Sequence, residues 1–93
     1  MRLSNNQLRD AVRNRKEFTN NTGSVYAKWV GDRYVVYSYG EHFPLYVWTG
    51  NHWFVNADKY SVTTSKHASL CNPRDNTITE VNTSGMKKLA QGE

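Results

Sequence analysis

The chain has 93 residues, enough for one domain and too few for two. Its formal charge is +4, with 38% hydrophobic and 13% aromatic residues. A single cysteine, Cys71, excludes an internal disulfide, and no apolar run approaches the roughly 20 residues that a bilayer-spanning helix needs.

The charge is local. Residues 1–18 hold Arg2, Arg9, Arg13, Arg15 and Lys16 against Asp10 and Glu17. Residues 19–85 are neutral, and Lys87 and Lys88 outweigh Glu93 at the end. The positive field therefore belongs mainly to the N-terminal segment. It permits an anionic partner without requiring one, because many small domains carry such charge for solubility. Eleven of the twelve aromatics lie between Tyr26 and Tyr60. Each buried ring removes a large area from water, so the core is expected mid-chain.

Residues 1–20 read as a basic amphipathic unit, with a helix over 4–18 capped by Ser4 or Asn5. Leu8, Ala11 and Val12 share one face, with Phe18 near that stripe. Arg9, Arg13 and Lys16 fall at i, i+4 and i+7 on another. That basic ridge is either a solvated face, which is the usual case, or a contact for phosphates or an acidic protein.

Residues 25–70 read as an aromatic β-meander followed by a polar segment. Strands are expected at 25–30, 34–39, 43–48 and 52–55, with a short last one at 60–63. Gly31-Asp32 makes a tight hairpin turn, and Gly50-Asn51 falls in another. Strand 34–39 is apolar on both faces, as a central strand covered on both sides would be. Residues 64–71 suit a short helix capped by Thr63 or Thr64 and ended by Asn72-Pro73. Residues 72–93 form a C-terminal extension, with an edge strand at 75–81 and a frayed helix from Ser84 in which Met86 and Leu89 dock. The expected fold is a single α+β domain over 1–93. An N-terminal helix packs on a twisted antiparallel sheet of four or five strands, closing towards a small barrel, and a short helix follows the last meander strand.

Lys59, Thr63, Thr64, Ser65, Lys66 and His67 concentrate donors where a helix begins, which suits an anion or phosphate. Ordinary capping explains the same hydroxyls. The segment has no glycines and is not a P-loop. Tyr37, Tyr39, Tyr46, Trp48 and Trp53 are too many rings for one covered face. Some are expected at the surface, to stack bases or to meet a protein, unless the helix and tails cover them. His67 and Cys71, at i and i+4, are half of a metal site with no second pair, so no metal and no cofactor are expected. His67 with Ser61 or Ser65, oriented by Asp58, is a conceivable catalytic set. Only residue types support it, and no enzyme is expected.

Val36-Tyr37-Ser38-Tyr39-Gly40, then Pro44-Leu45, Trp53, Asn56 and the run from Lys59 to His67 (KYSVTTSKH) resemble a small uncharacterised domain family encoded by bacteriophages. The resemblance covers roughly residues 34–70. It implies a phage origin and no activity; with one cysteine and no signal peptide, the expected compartment is the host cytoplasm during infection. The expected function is a non-enzymatic accessory protein that binds nucleic acid or another phosphate-bearing ligand. The alternative is an inhibitor that binds a host or anti-phage defence protein; the third reading is a small enzyme or metal-binding protein. No membrane partner is expected, and the oligomeric state stays open.

Overall fold

The structure is a computed structural model that describes residues 2–40, 43–58, 62–75 and 77–91. In chain order it contains β1 (Arg2–Leu3), a 3-10 turn (Asn5–Gln7), α1 (Leu8–Arg13), β2 (Phe18–Asn20), β3 (Val25–Val30), β4 (Arg33–Ser38), β5 (Pro44–Trp48), β6 (Trp53–Asn56), α2 (Val62–Cys71), β7 (Ile78–Val81) and α3 (Thr83–Ala90).

The seven strands form one open sheet in sequence order. From β2 to β6 every neighbour is antiparallel. At the two edges the pairing is parallel: β1 with β2, and β6 with β7. The centre follows from its turns. Gly31 sits at φ 63° between β3 and β4, a conformation that costs glycine nothing. It closes a two-residue hairpin whose ladder runs from Val30↔Arg33 to Val25↔Ser38.

Both faces of β4 are covered. Tyr34 and Val36 point into a core with Leu8 and Val12 of α1 and Cys71 of α2. Val35 and Tyr37 point the other way, onto Met86 and Ala90 of α3. Alternation along a strand makes this division. Met86 is fully buried, and burying such a side chain is worth about 2 kcal/mol. The segment expected as an extension is therefore the cover of one face. Asn82, not Ser84, caps α3, its side chain accepting from the Gly85 amide at 2.8 Å. Among the described residues no helix is long and apolar enough to cross a membrane.

The expected fold class is corrected in three respects. The sheet has seven strands, not four or five; it is mixed, not antiparallel; and it stays open, not barrel-like. The N-terminal helix over 4–18 is also replaced. The chain starts as a strand, and α1 has only six residues. The physical stop is local. The Arg15 amide donates to Val12 O at 3.0 Å and the Lys16 amide to Ala11 O at 2.9 Å. Those are the two bonds of a Schellman closure, with Arg15 in the left-handed position at φ 53°. Phe18 then enters β2 and pairs with Ala27. The expected strand at 60–63 is overturned where it can be seen, because α2 begins at Val62; residues 60 and 61 lie outside the described residues.

Candidate functional site

Two cavities lie at opposite ends of the sheet. Among the described residues three non-glycine residues have positive φ: Arg15 (53°), Tyr39 (62°) and Arg74 (56°). Each lines one of these two cavities. Such backbone is held in place only by its surroundings, and it concentrates at functional sites.

The first cavity is a cleft of about 400 Å³ between the end of α1 and the segment after α2, lined by Arg13, Arg15, Trp48, Trp53, Pro73, Arg74 and Asp75. The Schellman closure turns the chain so that the Arg15 guanidinium lies 5.0 Å from the Trp48 ring centre, a cation–π distance. Its Nη1 donates to Arg13 O at 3.0 Å. On the other wall the Arg74 amide donates to Asn72 Oδ1 at 2.7 Å, and this tight turn presents Arg74 beside Pro73. Trp48 leans on Trp53 at 5.4 Å. Trp53 is itself wedged edge-on between Tyr34 and Tyr46. Trp48 is half-buried, so part of its ring is open to the cleft. Beside the cleft, Trp29 is 41% exposed, and its Nε1 donates to Arg15 O at 3.2 Å.

Among the described residues no carboxylate forms an ion pair with Arg13, Arg15 or Arg74. Asp75 shares the cleft, but its Oδ1 accepts from the Thr77 amide and hydroxyl, both at 2.9 Å. Those bonds hold its carboxyl below the usual carboxylate range. Three guanidinium groups and one carboxylate leave a net charge of +2 around an aromatic wall.

The second cavity, about 680 Å³, lies between the β2–β3 turn, the end of β4 and α2. His67 is 6% exposed, and its Nδ1 is 2.9 Å from Ser38 Oγ, which is 1% exposed. Burial holds the imidazole below its usual 6.5, so it is neutral at neutral pH. The Tyr39 ring lies 5.4 Å from the imidazole. Asn20 pins the facing turn: its Oδ1 accepts from the Val25 amide, and its Nδ2 donates to Ser24 Oγ.

The residues expected as sites scatter. Arg13, Trp48 and Trp53 meet in the first cleft, with Trp53 buried. Arg9 does not join them. It donates to Asn72 O at 2.9 Å and Ser69 O at 3.0 Å, and so fastens α1 to the end of α2. Lys16 is exposed but lies past the helix, where its carbonyl accepts from the Tyr34 hydroxyl. The basic ridge is thus dissolved, because i+7 spacing has no meaning beyond a six-residue helix. Lys66 and His67 line the second cavity. Ser65 turns instead towards β7, beside Ile78 and Glu80. Thr63 and Thr64 lie within the first turn of α2, not at its cap position; their side chains, and all of Lys59, are outside the described residues. Among the expected surface rings, Tyr37 and Tyr46 are buried, Trp48 is half-buried and Tyr39 is 47% exposed.

Among the described residues the expected catalytic set is not brought together: His67 pairs with Ser38, while Asp58 accepts from the Thr83 amide and hydroxyl at the start of α3; Ser61 lies outside the described residues. Cys71 is fully buried, which pushes its thiol up to about 12. Among the described residues no three His, Cys, Asp or Glu side chains cluster as metal ligands.

Sequence reasoning missed Arg15, Arg74, Trp29 and Ser38. Only the helix end at Asn72-Pro73 hinted at Arg74, and nothing in the sequence marked Arg15. No protein-family model, no curated protein and no solved structure matches the chain.

Proposed function

We propose that the protein is a non-enzymatic phage accessory protein that binds single-stranded nucleic acid through the arginine–tryptophan cleft. The observation that carries this reading is that Arg13, Arg15 and Arg74, unpaired with carboxylates among the described residues, line one cleft with the half-buried Trp48. Guanidinium groups are weakly hydrated planar donors that suit phosphate oxygens. An indole face accepts any base by stacking, and such contacts need no sequence readout. Closed turns set the backbone at Arg15 and Arg74, and Trp48 leans on Trp53. In this reading the nucleic-acid phosphates lie at the ends of α1 and α2, and the Lys59–His67 segment is not used for them.

The test is fluorescence polarisation with a labelled oligothymidylate at low salt. Binding is expected, and the double change Arg13→Ala with Arg74→Ala weakens it. No affinity for any DNA or RNA strand at low salt would sink the reading. A second reading, a contact surface for a host or defence protein, rests on Trp29. It is a large exposed ring, and tryptophan is among the residues that dominate protein hot spots. One stoichiometric, nuclease-insensitive partner lost on Trp29→Ala would favour it.

A further inference from the structure

The second cavity is not used by that reading, and its chemistry is different. Ser38 is buried, and among the described residues the only partner of its hydroxyl is His67 Nδ1. A buried hydroxyl proton without an acceptor is costly, so Ser38 donates to Nδ1. That fixes the tautomer with the proton on Nε2. Nε2–H has no acceptor among the described residues, and His67 lines the cavity. His67 is more than nine-tenths buried, and its Nε2–H is thus left for a ligand. Lys66, next along α2, is exposed on the same wall and brings one positive charge.

Tyr39 and Leu70 make the apolar part of the lining. Tyr39 is held in the left-handed region, which places its ring against His67 with nearly half of its surface open. Leu70 lies below it. Backbone of this kind costs an L residue about 1 kcal/mol, and an asparagine would sit there more easily. The Asn20 network fixes the opposite rim without using up the cavity.

We propose that this cavity binds a small ring-bearing molecule with one oxyanion group, the oxyanion on His67 Nε2–H and Lys66 and the ring against Tyr39. One cation and one neutral donor match a single oxyanion, whether carboxylate or phosphate. The volume is in the range of small-molecule sites. The site is separate from the arginine cleft, at the other end of the sheet.

The experiment is an NMR titration of the full chain, labelled at histidine and tyrosine, with four probes. Phenyl phosphate and benzoate each carry a ring and an oxyanion. Inorganic phosphate lacks the ring, and benzyl alcohol lacks the charge. Saturable shifts at His67 and Tyr39 are expected in about the millimolar range for at least one of the first two, as suits ligands of so few atoms. Which of them binds more tightly separates a phosphate from a carboxylate ligand. Inorganic phosphate and benzyl alcohol are expected to bind at least about tenfold more weakly, having lost one of the two contacts. Lys66→Met and Tyr39→Asn are each expected to weaken binding, with no fall in the melting temperature for either. Arg13→Ala with Arg74→Ala leaves it unchanged. The proposal is overturned by the absence of saturable shifts with both ring oxyanions, by benzyl alcohol binding as well as they do, by undiminished binding in the Lys66 and Tyr39 variants, or by loss of binding in the arginine variant.

Discussion

Arg9 separates two accounts of the basic N-terminus, and Arg9→Met tests them. In the sequence it belongs to a ridge that meets an anion. In the fold it is a strut, donating through Nε to Asn72 O and through Nη2 to Ser69 O. Methionine keeps much of the aliphatic stem and removes the donors. A net hydrogen bond from a charged group is worth about 1.5–3 kcal/mol when sheltered, and the Nη2 contact here is exposed, so most of the effect rests on Nε. The cation also faces the C-terminal end of α2, which adds about 0.5 kcal/mol. The expected loss is about 2 kcal/mol, or roughly 10 °C in Tm for a domain of this size. Urea and thermal unfolding measure it, and oligothymidylate polarisation on the same protein measures binding. Stability should fall and binding should hold. The converse, full stability with binding lost, would refute the placement of Arg9 and restore the ridge.

The salt dependence of the arginine cleft follows from its count of cations. Three phosphate contacts give a slope of log affinity against log salt of about −2, so binding drops about twentyfold between roughly 50 and 200 mM salt. Losing Arg13 and Arg74 should cut the slope to about −0.7, and a slope unchanged by that loss would place the phosphates elsewhere. Gly85→Ala should destabilise α3 by about 1–2 kcal/mol although alanine favours helix, because its Cβ would collide with Val81 Cγ1; denaturant melts showing a gain in stability would contradict that packing. His67 gives a pH signature. Its folded pKa lies below 6.5, so the unfolded chain takes up the proton first as pH falls. Stability is then full above about 6.5 and declines as pH drops towards the folded value, and His67→Gln should flatten that decline in urea midpoints taken between about pH 7.5 and 5.5.

The meander was legible because its punctuation is chemical. Gly31-Asp32 and Gly50-Asn51 announce turns, and the apolar runs between them are long enough to count. β1 and β2 carry no such signal. They have two and three residues, too few for alternation to register, and they pair across α1. β7 falls within the edge strand expected at 75–81; what its residues did not show is its parallel pairing with β6, which precedes α2 in the chain. Parallel pairing is set by where a crossover helix lies, not by any local residue type. The burial of Tyr37 and Tyr46 followed from α3 and α2, which the aromatic count could not weigh. As to the sites, Arg13, Trp48, Lys66 and His67 stood out by residue type. Arg15, Arg74 and the open presentation of Tyr39 depend on left-handed backbone, which none of these three residues advertises.

The parallel edges have a topological consequence. β1 and β6 point the same way, since an even number of reversals separates β2 from β6. Each is followed by a helix and then by a parallel strand one place further across the sheet, in the same direction. Crossovers between parallel strands are almost always right-handed. Two crossovers of one hand, started from strands of one direction and advancing the same way, must pass over the same side. That is why α1 and α2 share a core. It also means that neither can ever shelter Val35, Tyr37 and Val47 on the reverse side. A segment outside the two crossovers is free to go there, and α3, eight residues long and placed after the last strand, does so.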